Sequence, residues 1–245
     1  MPKPVFQPEI GAVVFDVLGT LVDEPAGLRA GIRQLAPSLD DSGAGQLLSL
    51  WQQHIDREQR RILEGDRPYA ASDVLDREAA RLVADAAGGR SAAGSPAAGA
   101  DDSAAVTALA LSGRRLPPRP DTVAGLARLA ERFPLMGLSN ASRPALLELN
   151  AHAGLRWHQV LSADDVRTYK PDPAVYQLAV AASGHPPERL LMVATHAWDL
   201  RGAQRLGLRT AYVARPVGDP PALSDRFDLY ADNLDDLADQ LDTGR

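Results

Sequence analysis

The sequence predicts an α/β protein built on a doubly wound parallel sheet, with a helical cap domain inserted after the first strand. Two observations support this prediction. Short apolar runs alternate with helical patterns along most of the chain, which is typical of a parallel sheet covered by helices on both faces. One long segment breaks the alternation and contains helical patterns only. The apolar runs are residues 10–15, 135–138, 160–161, 190–194, 210–213 and 227–230.

Helices are predicted between the later runs by apolar residues that recur every three or four positions. Val123, Leu126 and Ala130 form one such stripe, and Ala174 and Leu178 lie on another. Such helices would cover the faces of the sheet and return the chain to the start of the next strand, as in other doubly wound folds.

Residues 22–118 form the segment without strands, and we expect them to make the cap domain, with residues 1–21 and 119–245 as the core domain. Within the cap, residues 86–103 are mostly Ala, Gly and Ser. These small side chains bury too little apolar surface to offset the entropy lost on ordering, so a flexible loop is predicted there. The predicted cap helices lie near residues 28–35, 47–63, 74–83 and 104–111.

Composition excludes several classes of function. Of the 245 residues, 45% are hydrophobic and 24% charged, and no apolar run approaches the roughly 18 residues that a membrane span needs. The absence of cysteine excludes disulfides and thiolate chemistry. A net charge of −6 gives no general attraction to nucleic acid or anionic lipid. Since the first residues also lack the pattern of a signal peptide, we expect a cytoplasmic protein that acts on a small molecule, without nucleic-acid or membrane partners.

Polar side chains follow four of the predicted strands. Because the carboxyl ends of parallel strands meet at one edge of the sheet, these side chains should converge there. A single aspartate after a strand is most often a turn or cap residue, but four such motifs in order favour a catalytic site with Asp16 as the nucleophile. The set consists of Asp16, Thr20, Ser139, Asn140, Lys170 and Asp199.

Four segments carry a more specific pattern, namely residues 15–21, 138–140, 169–176 and 197–203. They resemble the motifs of the haloacid dehalogenase (HAD) superfamily, whose members share a Rossmann-like core. Within that superfamily they are similar to the type II (S)-2-haloacid dehalogenases. The resemblance implies a hydrolase that converts a 2-haloalkanoic acid and water into a 2-hydroxy acid and halide.

The resemblance also implies a role for each residue of the set. Asp16 would attack the substrate carbon and form an ester, which water then hydrolyses. Lys170 would hold Asp16 and pair with an anionic substrate, while Asp199 would orient Lys170 and help to activate the water. The hydrogen-bond donors that would hold the carboxylates are Thr20, Ser139 and Asn140.

Further residues match family positions near the substrate, and we expect them to contact it. They are Leu18 and Gly19 in the first turn, Gln52 in the cap, Tyr176 and Trp198. The resemblance further implies a small anionic substrate, no metal or other cofactor, and a homodimer.

Three positions depart from the dehalogenase pattern. Gln52 stands where the family has the arginine that receives the departing halide, His196 replaces an asparagine, and Ala194 replaces a serine. His196 is therefore expected to act as a base or to orient the water. The same departures leave open a non-catalytic protein that keeps the fold.

Leu18 separates two branches of the superfamily. Phosphatases carry an aspartate at this position as general acid, because an alkoxide leaving group must be protonated, whereas halide leaves unassisted. They usually carry another at the position of Thr195, where it helps to hold magnesium. The alternative enzyme is thus a magnesium-dependent phosphohydrolase acting on a small phosphate ester, with Asp16 and Asp199 as metal ligands.

Overall fold

The computed structural model describes residues 9–88 and 104–243. Within these ranges the chain forms six strands and nine α-helices, joined by turns and three short 3₁₀ segments. In chain order they are β1 (Ala12–Phe15), α1 (Glu24–Leu35), α2 (Asp41–Leu63), α3 (Ser72–Gly88), α4 (Ala104–Ala110), α5 (Thr122–Ala130), β2 (Leu135–Ser139), α6 (Arg143–Ala153), β3 (Gln159–Ser162), α7 (Pro173–Ser183), β4 (Leu190–Ala194), α8 (Ala197–Arg205), β5 (Arg209–Val213), β6 (Leu229–Ala231) and α9 (Leu234–Thr243).

The six strands form one parallel sheet in the order β3-β2-β1-β4-β5-β6. The last residue of β1, Phe15, lies opposite Gly137 of β2 and Val193 of β4. The strand order reverses at β1, and open α/β sheets bind ligands in the crevice at such a switch point. The predicted fold class is confirmed, and the residue after Phe15 lies at the crevice.

Strand β1 is buried on both faces, which explains its uninterrupted apolar sequence. Val13 and Phe15 pack into the hydrophobic core on one face of the sheet, and Ala12 and Val14 pack into the core on the other. All four residues are 1% exposed or less. Burying a side chain such as Val or Phe contributes about 1.5–3 kcal/mol, so the strand that positions the crevice is firmly anchored.

Helices α1 to α4 pack around a third core. Asp23 caps α1 by accepting a hydrogen bond from the amide of Ala26 at 3.1 Å, and Asp40 caps α2 through the amide of Gly43 at 2.7 Å. These four helices lie over the carboxyl edge of the sheet. The hydroxyl of Tyr169 there donates a hydrogen bond to the carbonyl of Ala70, in the segment before α3, at 2.7 Å. The division into core and cap domains stays a prediction. The third core includes Leu28, Ile32, Trp51, Val83 and Leu109.

Two boundaries differ from those expected. The last strand was predicted at residues 227–230, but β6 begins at Leu229, because the amide of Phe227 donates to the hydroxyl of Tyr230 at 3.1 Å instead of joining the ladder. The predicted loop 86–103 was placed too early, since α3 continues through Gly88; its remainder lies outside the described residues. No helix in the described ranges is long and apolar enough to cross a membrane.

Candidate active site

Asp16 lies directly after β1, where its backbone amide donates to the carbonyl of Val193 at 2.9 Å. Its carboxylate is held on both oxygens. Thr20 Oγ1 donates to Oδ2 at 2.7 Å, and Lys170 Nζ donates to Oδ1 at 3.0 Å. The Asp16 side chain is 9% exposed, so it can meet a small molecule while hydrogen bonds fix its direction.

The turn after β1 depends on Gly19, whose φ of +77° lies in the left-handed region. This turn brings Thr20 back over Asp16, and Thr20 Oγ1 also accepts a hydrogen bond from the amide of Thr195 at 3.0 Å. A Cβ atom at Gly19 would lie 2.8 Å from Nε2 of His196. Glycine is therefore needed both for the backbone conformation and for the space that the imidazole occupies.

Lys170 joins the two aspartates of the site. Its Nζ lies 3.0 Å from Asp16 and 2.7 Å from Oδ2 of Asp199, and the residue is 3% exposed. Its backbone amide donates to Oδ1 of Asn140 at 2.8 Å. Burial alone would lower the pKa of the ammonium, but the two carboxylates outweigh it and raise that pKa. Lys170 is therefore a charged lysine, and its charge is already shared between two carboxylates.

Asp199 lies in the first turn of α8 and is fully buried. The hydroxyl of Tyr176 donates to its Oδ1 at 2.6 Å, while Lys170 binds Oδ2. Burial raises the pKa of Asp199, although the charge of Lys170 acts in the opposite direction. Tyr176 is itself fully buried behind Asp199 and does not line the cleft. The hydroxyl of Tyr176 thus holds Asp199, and the expected contact between Tyr176 and substrate stays a prediction.

A cleft of about 370 Å³ lies between the sheet edge and the helices α1 and α2. Asp16 and Gly19 are not among its lining residues, but their neighbour Leu18 is, and so is His196, which packs against Gly19. Thr20, Lys170 and Asp199 do not line the cleft and are fully or almost fully buried. Six of the residues expected at the site line the cleft: Leu18, Gln52, Ser139, Asn140, His196 and Trp198.

The cleft residues from α8 and β2 are fixed by local contacts. Asp219 accepts a hydrogen bond from the amide of Trp198 at 2.9 Å, and the rings of His196 and Trp198 lie 5.8 Å apart. Ser139 Oγ accepts from the amide of Ala141 at 3.1 Å, which leaves its hydrogen for another acceptor. These contacts hold the backbone at Trp198 and the hydroxyl of Ser139 at this side of the cleft.

Sequence reasoning missed four polar residues of the cleft, of which Glu24 and Asp56 matter most for its charge. Burial raises the pKa of Glu24 to about 7; His196 opposes the shift, and the negative charges of Asp16 and Asp56 add to it. Burial likewise raises the pKa of Asp56. Asp56 was detectable, because it follows Gln52 by four residues and so shares its helix face. The other two are Gln59 and Asp219.

The residues present do not fit a magnesium site. Phosphatases would present a carboxylate where this chain has Thr195, whose buried hydroxyl has no hydrogen-bond partner. Asp16 and Asp199, the two other candidate ligands, are bridged by the Lys170 ammonium. In the part of the chain that the structure describes, no three His, Asp or Glu side chains are grouped as metal ligands. The expectation of a site without metal stays a prediction.

Comparison with known proteins identifies the same family as the motifs. A family model described as haloacid dehalogenase-like hydrolase matches residues 10–207. An (S)-2-haloacid dehalogenase of Pseudomonas putida is 30% identical over 211 residues, covering 84% of this chain and 86% of the relative.

Solved structures of dehalogenases superpose on almost the whole of this chain. An L-2-haloacid dehalogenase superposes with a TM-score of 0.82 at 33% identity, covering 95% of this chain and 99% of the other. The L-2-haloacid dehalogenase of Xanthobacter autotrophicus with covalently bound chloropropionic acid superposes with a TM-score of 0.79 at 25% identity, over 96% of this chain and all of its own.

Proposed function

The chain belongs to the haloacid dehalogenase-like hydrolases, and from this premise we propose that it is a 2-haloacid dehalogenase. It displaces halide from C2 of a short 2-haloalkanoic acid and releases the 2-hydroxy acid, through an ester on Asp16. The observation that supports this most strongly is the carboxylate of Asp16, which Thr20 and Lys170 hold at the carboxyl edge of the sheet. The side chain two residues further on, Leu18, is apolar and lines the neighbouring cleft.

The first step is a displacement at carbon. One Asp16 oxygen attacks C2, the new C–O bond forms, and halide departs with the electrons of the carbon–halogen bond. The Lys170 ammonium donates a hydrogen bond to Oδ1 of Asp16 at 3.0 Å and so fixes the direction of the attacking carboxylate. Thr20 and the backbone of β1 hold the carboxylate, so that little reorientation is needed for attack.

The chemistry of the leaving group explains why Leu18, two residues after the nucleophile, can be apolar. Halide is a very weak base and needs no proton, so the apolar Leu18 suffices where an alkoxide would require an acid. Gln52 lines the cleft and supplies amide hydrogens to the departing halide, in place of a full positive charge.

The second step is hydrolysis of the ester at its carbonyl carbon. Both Asp199 oxygens are engaged, by Lys170 at 2.7 Å and by Tyr176 at 2.6 Å. We therefore assign the direct orientation of water to His196, which lines the cleft, and the positioning of Lys170 to Asp199. The hydrogens of Lys170, Thr20 and Ser139 stabilise the negative oxygen that develops when water attacks.

This chemistry uses only side chains of the protein and needs no metal or other cofactor. The substrate is a small acid, in keeping with the size of the cleft. The compartment in which the reaction takes place and the homodimer remain predictions.

The decisive experiment is halide release from a panel of 2-chloro-, 2-bromo- and 2-fluoroalkanoic acids. We expect turnover by the wild type, none by Asp16→Ala, and no change on addition of EDTA. Absence of halide across the panel would contradict the proposal. Hydrolysis of an aryl phosphate that depends on added magnesium would instead support the phosphohydrolase.

A further inference from the structure

The second step of the proposed reaction moves two protons. Water loses a proton when its oxygen bonds to the carbonyl carbon of the Asp16 ester. The group that then leaves is the alkoxide of the 2-hydroxy acid, a strong base that must be protonated, unlike the halide of the first step. The apolar Leu18 cannot supply that proton. The second step therefore needs a group at the cleft that both accepts and donates a proton.

Glu24 offers a carboxyl group in the right place for this work. It is the first residue of α1 and lines the cleft together with Leu18. Both residues also line a smaller inner pocket next to the cleft. Among the described residues, no hydrogen bond or ion pair engages the Glu24 carboxyl group. It can therefore exchange a proton with water or with a ligand in the cleft.

The start of α1 is fixed relative to the turn that follows the nucleophile. The buried guanidinium of Arg119 donates to the carbonyl of Gly19 at 3.3 Å and to the carboxylate of Asp23 at 2.8 Å. Asp23 immediately precedes Glu24 and caps α1. Arg119 thus joins the nucleophile turn to the residue before Glu24, so that the carboxyl group and Asp16 keep a defined relation.

The surroundings of Glu24 suit proton transfer in both directions. Burial raises its pKa to about 7; His196 opposes the shift, and the negative charge of Asp16 adds to it. A group whose pKa lies near the operating pH is populated in both forms. The charged and titratable groups around Glu24 are Asp16 after β1, Asp56 on α2, Asp76 on α3, Arg114 before α5 and His196 before α8.

Formation of the ester changes these surroundings. The charge of Asp16 disappears when its oxygen bonds to C2, so one of the causes that raise the pKa of Glu24 is lost. The carboxylate form of Glu24, which accepts protons, is favoured at that moment. Glu24 therefore becomes a better base at the stage of the reaction at which water must be activated.

We propose that Glu24 is the general acid–base residue of the second step, which takes a proton from the attacking water and gives it to the alkoxide of the 2-hydroxy acid. The inference rests on the proposed function, because it concerns hydrolysis of the ester on Asp16. His196 keeps its role of orienting the water, and Lys170 and Asp199 keep theirs in holding the Asp16 carboxyl group.

Atoms and electrons balance in this step. The water oxygen bonds to the Asp16 carbonyl carbon, one water hydrogen passes to Glu24, and the electron pair of the carbonyl bond moves to its oxygen. When that pair returns, the bond from the carbonyl carbon to the substrate oxygen breaks. The substrate oxygen keeps the electrons of this bond and takes the hydrogen from Glu24. Asp16 is left protonated and releases that proton to solvent.

The two other carboxyl groups of the cleft suit this role less well. Asp219 is paired with Arg201 at 3.4 Å. Asp56 belongs to an exposed residue of α2, and Asp16 is not among the charges that shift its pKa. Glu24 is therefore the cleft carboxyl whose protonation responds to the state of the nucleophile.

The test follows chloride and the Asp16 ester after rapid mixing of the full chain with excess (S)-2-chloropropionate. Glu24→Gln keeps the size of the side chain but cannot carry the proton. We expect it to release the first equivalent of chloride within about twofold of the wild-type rate. Its kcat should then fall about 100-fold, and the ester should accumulate in mass spectra of the peptide that contains Asp16. The size of the chloride burst reports how much of the variant is folded and active.

The pH dependence of ester hydrolysis separates Glu24 from His196. In the wild type this rate should rise with pH to a plateau, with a midpoint at or below about 7, because the base form of Glu24 is required. Glu24→Gln should abolish the rise. Glu24→Asp, which keeps a carboxyl group, should retain it and restore part of kcat; it also serves as the test if Glu24→Gln fails to fold. His196→Asn should slow hydrolysis but keep the rise.

Glu64→Gln is the matched control. Glu64 is an exposed glutamate at the end of α2, and its replacement should leave the burst, kcat and the pH profile unchanged. An ester that accumulates in Glu24→Gln but not in Glu64→Gln supports the inference.

The outcomes separate this inference from the proposed function. If Glu24→Gln turns over like the wild type, or if the rise with pH persists in it and is lost in His196→Asn, the inference is overturned and the dehalogenase stands. Slower ester formation with unchanged hydrolysis in both Glu24 variants also overturns the inference alone. No chloride from any of the proteins, the wild type included, overturns both.

Discussion

The ammonium of Lys170 lies 3.0 Å from Oδ1 of Asp16, although 154 residues separate them in the chain. The same ammonium lies 2.7 Å from Asp199. Two carboxylates and one lysine are thus buried together at the edge of the sheet. The nucleophile, the lysine that binds it and the carboxylate that positions this lysine form one unit, so replacing any one of the three should impair the other two.

Replacing Lys170 by methionine should destabilise the protein and abolish activity. Removing one partner of a buried ionic group leaves uncompensated charge, which typically costs about 3–5 kcal/mol. We expect the free energy of unfolding in urea to fall by that order. Adding Asp199→Asn to the variant removes one of the stranded charges and should restore part of the stability without restoring activity. If the variant with Lys170 replaced alone were as stable as the wild type, the ammonium would not be needed to compensate the buried carboxylates.

Tyr176→Phe tests the second support of Asp199. The variant loses a hydrogen bond of 2.6 Å to a carboxylate, a type of bond worth about 1.5–3 kcal/mol. Because Asp199 then holds Lys170 less firmly, and Lys170 binds Asp16 in both steps, ester formation and hydrolysis should both slow and kcat for halide release should fall. Tyr212→Phe, in β5, is the control. Halide release as fast as that of the wild type would contradict a role for Tyr176 in positioning Asp199.

Glu24 should make the free energy of unfolding decrease as the pH rises. Its pKa is about 7 in the folded protein, against 4.5 for an ordinary glutamate. Between these values the folded state holds the proton more tightly than the unfolded chain does, so stability falls as the pH rises from 4.5 to 7. Urea unfolding of the wild type should show this decline relative to Glu24→Gln. If the free energy of unfolding changed with pH in the same way in both proteins, Glu24 would not be the cause of the decline.

Gly19→Ala should be harmful for two reasons. An alanine in the left-handed region costs about 1–2 kcal/mol, and its Cβ would lie 2.8 Å from the imidazole of His196. We expect lower stability in urea and slower halide release. Gly45→Ala, inside α2 with open space around it, should instead stabilise the protein by about 0.5–1 kcal/mol. Similar effects of the two substitutions would argue against the strained turn.

The sheet and the position of Asp16 were predictable because both follow from local pattern. Apolar runs bounded by turns give the strands, and parallel strands bring their carboxyl ends together whatever lies between them. Residues that far apart in the chain, such as Asp16, Lys170 and Asp199, could therefore be grouped before their distances were known. The convergence of the motifs could therefore be predicted without knowing how the side chains pack.

The charge of the cleft was not predictable in the same way. Glu24 precedes a proline at the start of α1 and reads as an ordinary first-turn acid, and its place at the cleft depends on how α1 packs over the sheet edge. Tyr176 was expected near substrate because of its motif, but burial of α7 places its hydroxyl behind Asp199. Motifs locate the reacting groups, whereas tertiary packing decides what surrounds them.

The central claim, that an ester forms on Asp16 and is hydrolysed at its carbonyl carbon, is tested most directly by a single turnover in water enriched in heavy oxygen, with enzyme in excess over 2-chloropropionate. The account predicts that the heavy oxygen enters the Asp16 carboxylate, detected by mass spectrometry of the peptide that contains it, while the 2-hydroxy acid carries ordinary oxygen. Heavy oxygen in the product and none in Asp16 would contradict it, because water would then have attacked the substrate directly.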